Sequence, residues 1–211
     1  MSFTFTWLRR VAPVALVFAA ACSGVEDVDD DHHHDHNHGV TTTLKLVLTP
    51  AGGDAVTYTW ADPEDDGSPV IDDIVLTDGL DTTYTVDVEV WNELEDPAED
   101  VTPEIAELGT EHQLFFTGDA VEGPATGPNA GALLVHSYSD ADVDGNPIGL
   151  ANEFVATAAG TGELVVTLRH LAYENDQPTK SAGLAEDVAN GGFGSIPGDI
   201  DIQVTFPVEV Q

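Results

Sequence analysis

The run Tyr84-Thr85-Val86-Asp87-Val88-Glu89-Val90 decides the fold. Every second residue is apolar and those between are polar or charged. Successive side chains of a β-strand point to opposite faces, so this run is a strand with one dry and one wet face. The alternation recurs at Leu44, Leu46 and Leu48, at Val56, Tyr58 and Trp60, and at Leu164, Val166 and Leu168. It recurs again through Ile200, Ile202, Val204, Phe206, Val208 and Val210. Shorter apolar runs predict strands near Ile71–Thr77, Gln113–Thr117, Leu133–Ser139 and Phe154–Thr157. Strands with one solvated face belong to antiparallel sheets, and eight or nine of them predict an all-β fold. The expected architecture is an antiparallel two-sheet sandwich of immunoglobulin-like type. Pro207 lacks a ladder donor, which predicts an edge or a bulge at that point of the last strand. One short helix is expected, with Thr102 as its cap, Pro103 at its first position, Glu104 and Glu107 near its N-terminus, and Gly109 at its end. Tyr173–Asp199 is rich in Gly, Asn and Pro and reads as a long connection without structure, either functional or inserted.

Ahead of the strands lies a different kind of sequence. Arg9 and Arg10, an apolar stretch from Val11 to Ala21 and the small residues before Cys22 read as a secretory signal ending in a lipobox-like site. The stretch is too short for a membrane span, which needs ~18–20 residues. The expectation is cleavage after residue 21 and acylation of Cys22, whose chains anchor the protein in a membrane. Ser23, where Asp would signal inner-membrane retention, points to the outer membrane. The expected organisation is a lipoprotein signal over 1–21, a tether over 22–40 and one β-sandwich domain over 41–211, enough chain for a single core.

Charge narrows the function classes. The chain carries a formal net charge of −34, and loss of Arg9 and Arg10 leaves 39 acidic against 3 basic groups, or −36. Such a chain repels nucleic acid and anionic lipid head groups and attracts cations. With Cys22 the only thiol and expected to be acylated, disulfides, thiolate metal sites and cysteine nucleophiles are excluded. No G-x-S-x-G, H-E-x-x-H or phosphate-binding glycine loop occurs, so no enzyme is expected.

The tether is the clearest cation site. Ser23 to Gly39 reads SGVEDVDDDHHHDHNHG, almost without apolar residues, and is expected to be disordered. Its reach is at most ~60 Å fully extended. His32, His33, His34, His36 and His38 are interleaved with Asp35 and Asn37. Neutral imidazoles suit zinc, copper and nickel, and carboxylates such as Asp35 add charge neutralisation. Two further patterns point to calcium. Asp62, Glu64 and Asp66 before Gly67, and Asp140, Asp142 and Asp144 before Gly145, place acids at alternate positions ahead of a turn glycine. Asp73 stands at position twelve of the first loop, Ala151 at that of the second. Calcium loops use this spacing to aim carboxylates at one ion, although the strand flanks exclude EF-hands, and Asp-Gly is also a favoured hairpin turn. Finally, His112, His136 and His170 lie in or beside strands, where convergence would make a third metal site.

Five segments in order, WNELEDPAEDVTPEI, EHQLFF, SDADVDGNPIGL, GTGELVVTLRH and DIDIQVTFPVEV, carry a resemblance. They resemble a family of small bacterial envelope lipoproteins, often with His/Asp-rich N-terminal tethers, labelled "type 1 periplasmic binding fold superfamily". The likeness covers most of Thr41–Gln211. It implies an envelope lipoprotein working beside an outer-membrane receptor. The expected fold comes from the strand periodicity, which is all-β, not from the α/β architecture that the label names. The functional expectation is a monomeric binding accessory that captures zinc. The rival is a calcium-stabilised structural or adhesion module at the surface.

Overall fold

A computed structural model describes residues 40–171, 173–175 and 177–211. The alternating runs form two packed sheets. In chain order the strands are β1 (Thr43–Pro50), β2 (Val56–Ala61), β3 (Val70–Ile71), β4 (Ile74–Leu76), β5 (Thr83–Asn92), β6 (Glu99–Asp100), β7 (His112–Thr117), β8 (Val121–Glu122), β9 (Leu134–Tyr138), β10 (Ala151–Ala156), β11 (Gly160–His170) and β12 (Asp199–Val210). One sheet runs β3-β2-β1-β5-β10-β9-β8, with β6 paired to the end of β5; the other runs β4-β12-β11-β7. All pairings are antiparallel except β8 with β9 and β4 with β12.

The core sits between the sheets. Leu44, Leu46, Leu48, Tyr84, Val86, Val88, Val90 and Phe154 from the first sheet meet Leu114, Phe116, Leu164, Val166, Val204 and Phe206 from the second, all buried. A one-residue slip of any of these strands would turn its apolar face to water, so the pattern fixes the register. The chain crosses between the sheets at Asp72–Asp73: β3 is the short edge of one sheet and β4 of the other. Pro207 stands opposite Glu163 of β11, while β4 pairs only with Val208–Val210. Its missing N–H thus falls where β12 has no second neighbour, as expected of an edge position. The bulge in this pair lies elsewhere, where Leu168 faces Ile202 and Arg169 faces Ile200, leaving Asp201 as the extra residue.

Two helical segments modify the sequence reading. Helix α1 (Thr102–Glu107) forms, but Val101 is its cap and Thr102 its first residue. The Thr102 hydroxyl serves β5 instead, accepting the Val90 N–H at 2.9 Å. Strand β10 pairs only with Thr83–Asp87 of β5, so the amide of Val90 needs another partner. The long connection is structured too. It carries helix α2 (Leu184–Gly191) and a 3-10 turn over Phe193–Ser195. Leu184, Ala185, Val188 and Ile196 pack with Phe115 and Leu171 into a second small core on the outer face of the β7–β11 sheet. That is why Phe115, Thr167 and Arg169, on the nominally wet face, are buried.

Two cations fasten this outer layer. Arg169 donates from Nη2 to the carbonyls of Pro197 (2.8 Å), Ile196 and Gly198, just ahead of β12. Gly198 adopts φ +84°, and a Cβ there would collide with the carbonyl oxygen of His170, so only glycine fits. Lys180 holds the other end, through contacts described below.

Candidate functional site

Cys22 and the metal-ligating candidates His32, His33, His34, Asp35, His36 and His38 lie outside the described residues. The remaining candidates can be placed.

Strands β7 and β11 pair so that His112 stands directly opposite His170. Their rings stack at 5.0 Å between centroids with 11° between planes. His112 is buried, and its Nδ1 lies 3.1 Å from the carbonyl of Leu108, a pure acceptor, which fixes Nδ1 as the donor nitrogen. Its Nε2 faces Asp201 Oδ2 at 3.9 Å, and His170 Nε2 faces Glu111 Oε2 at 3.7 Å. The bulge in β12 supplies Asp201 to this cluster. His112 and Asp201 also line a cleft of about 310 Å³ together with Val40, Thr41 and Asp65. The cleft therefore lies beside the first described residues of the chain.

His136 is not part of this pair. It lies on β9 in the other sheet, against Phe116 (4.5 Å), Tyr138 (4.7 Å) and Phe154 (5.4 Å). Its Nε2 bonds Asn152 Oδ1 at 3.1 Å, and Asn152 Nδ2 donates to Gly149 O at 2.7 Å. Burial pushes its pKa down to about 4, with the Asn152 bond opposing the shift. The ring is neutral at pH 7 and serves the core.

The carboxylates of the two acidic loops are directed largely at backbone amides. Asp62 is buried and accepts from Asp66 N at 3.1 Å and Gly67 N at 2.8 Å, tying its own turn. Glu64, Asp66 and Asp73 are exposed, and Asp66 accepts from Ser68 N. In the second loop Asp140 takes three amides, Gly149, Leu150 and Ala151, at 2.8–3.0 Å. Asp142 takes those of Asp144 and Asn146 on Oδ1, both at 2.9 Å, and Lys180 Nζ lies 3.0 Å from its Oδ2. Asp144 is exposed. Among the described residues, no group of three or more His, Cys, Asp or Glu side chains is placed to hold a metal ion.

Lys180, Arg169, Asn152 and Asp201 were not singled out from sequence. The one available signal was scarcity: the described chain has only Lys45, Arg169 and Lys180 as permanent cations. All three have partners within the chain, two of them in its interior and Lys45 on the solvated face of β1. Lys45 lies over the Trp91 ring at 4.4 Å and opposite Glu89, Arg169 is bound to carbonyls, and Lys180 is buried against Asp142. Only Lys45, half-buried, remains at the surface beside the carboxylates there.

No protein-family model, no curated protein and no solved structure matches the chain.

Proposed function

We propose that the chain is a lipid-anchored envelope binding protein that captures a divalent transition metal, zinc foremost, as an accessory to an outer-membrane uptake receptor. The observation that carries this reading is the tract itself, five imidazoles within His32–His38, joined to a domain with three permanent cations among its described residues, two of them buried. Imidazoles with interleaved carboxylate suit borderline metals, and the uncompensated acidic surface raises the local concentration of any cation. Capture ranks above the calcium reading because Asp62, Asp140 and Asp142 already spend their oxygens on amides and on Lys180.

Zinc titrated into the mature chain with and without residues 31–38 tests the reading. Deletion should weaken binding by about tenfold or more, since it removes every imidazole of the tract. Binding needs neutral imidazole, whose unperturbed pKa is ~6.5, so affinity at pH 5.5 should fall well below that at pH 7.5. Unchanged affinity after deletion would move the site into the domain, and absence of binding by either form would end the proposal.

The anchor has its own test. Cys22→Ser should abolish labelling by a fatty-acid analogue and release the protein to the soluble fraction. Labelling that persists in the variant would remove the lipoprotein part of the reading.

A further inference from the structure

The second acidic loop has a cation, and the chain supplies it. Lys180 Nζ lies 2.6 Å from Gly109 O, 2.8 Å from His112 O and 3.0 Å from Asp142 Oδ2. The Lys180 and Asp142 side chains are each only 1% exposed. The three oxygens come from the α1–β7 link, the first residue of β7 and the β9–β10 loop, so three separate elements converge on one point. Asp142 cannot swing away, because its other oxygen is held by the amides of Asp144 and Asn146. Asp140 and Asp144 add to the negative potential at the ammonium. Two carbonyls and a carboxylate are the ligand chemistry of a hard cation such as calcium, not of a transition metal. Beside them a cleft of about 260 Å³, lined by Gly109, Asp142, Glu107 and Thr110, gives room for water to complete a coordination shell.

We propose that Asp142 with the carbonyls of Gly109 and His112 forms a calcium-type site whose native occupant is the Lys180 ammonium. The lysine reaches in from the connection that carries α2 and takes the place an ion would hold. This ties the outer layer to the sandwich with no demand for a bound metal. The native chain therefore binds no calcium at this point, and removing the ammonium opens the site. The ligand set differs from the one the acid spacing suggests: of Asp140, Asp142 and Asp144, only Asp142 faces the cation directly.

Lys180→Met is the test, with thermal unfolding followed in calcium and in sodium at equal ionic strength. Calcium at about 100-fold above its dissociation constant should raise the midpoint of the variant by roughly 5–10 °C beyond sodium, and that of the native chain by much less. If the variant does not fold in sodium alone, calcium should restore the folded signal. The double variant Lys180→Met/Asp142→Asn, which has lost the carboxylate, should show no calcium-specific response. Three results would overturn the proposal: no calcium-specific shift or refolding of Lys180→Met, an equal shift in the native chain, or an equal shift in the double variant. The tract is present in all three forms, so zinc or calcium bound there cancels in the comparison.

Discussion

Arg169→Met is expected to lower the unfolding free energy by about 2–4 kcal/mol. Arg169 is 6% exposed, and its guanidinium donates to the carbonyls of Ile196, Pro197 and Gly198, with the Phe193 ring 5.9 Å away. Methionine keeps much of the stem volume but leaves three acceptors without a donor. Hydrogen bonds from a charged donor contribute about 1.5–3 kcal/mol; the Ile196 carbonyl belongs to a buried residue, while those of the exposed Pro197 and Gly198 can regain water. The loss should be uneven. Arg169 holds the end of the connection that carries α2, so amide exchange should accelerate first over residues 183–198, ahead of β5 and β11. Urea unfolding together with hydrogen exchange reads both effects. A loss below about 1 kcal/mol, or exchange that quickens uniformly, would show that the arginine does not fasten this layer.

His136 should give the molecule an acid-side weakness. Its folded-state pKa is about 4 against an ordinary value of 6.5, because the ring is buried among Phe116, Tyr138 and Phe154. The unfolded chain takes up this proton more readily than the folded one. The contribution of the neutral ring is therefore complete above pH 6.5 and is lost as pH falls from there toward 4. Across that window the loss amounts to about 3 kcal/mol. A second trend opposes it, since protonation of surface carboxylates relieves their mutual repulsion. Comparison with His136→Gln, which cannot take up the proton, separates the two. At pH 7.5 the variant should be the less stable form, because glutamine fits the aromatic site poorly. By pH 4.5 the gap should have closed by about 2–3 kcal/mol or reversed. A gap that stays constant with pH would mean that the ring titrates normally in the folded state.

The strands were legible because half-burial imposes a period of two, and β1 and β5 keep it, as does β12 from Ile202 onward, while the bulge at Asp201 leaves Ile200 exposed. The outer layer was harder to read. Its helix shows Leu184, Ala185 and Val188 at helical spacing, but the surrounding Gly, Asn and Pro mask so short a stripe. A better signal lay in β7, where Leu114, Phe115 and Phe116 are consecutive and buried, so alternation fails because both faces of the strand are covered. Of the candidate sites, the stacking of His112 on His170 depends on β7 lying beside β11 in one register, which neither segment encodes alone. The acid spacing at Asp140–Gly145 marked a real feature but not its content. Alternate carboxylates can serve an ion or a set of amides equally well, and the choice here depends on Lys180, 38 residues downstream of Asp142.

With Arg169 and Lys180 buried and Lys45 the one described permanent cation at the surface, the domain's outer charge is essentially of one sign. Counter-ions around such a body are weighted by a Boltzmann factor in which valence multiplies the potential. A divalent ion is thus enriched by the square of the monovalent factor: near a surface potential of two kT the ratios are about 7 and about 55. The protein therefore sorts ions by valence across its whole surface, before any particular ligand is reached. Because the Debye length shrinks from about 10 Å at 0.1 M salt to about 3 Å at 1 M, this sorting belongs to dilute surroundings and fades in brine.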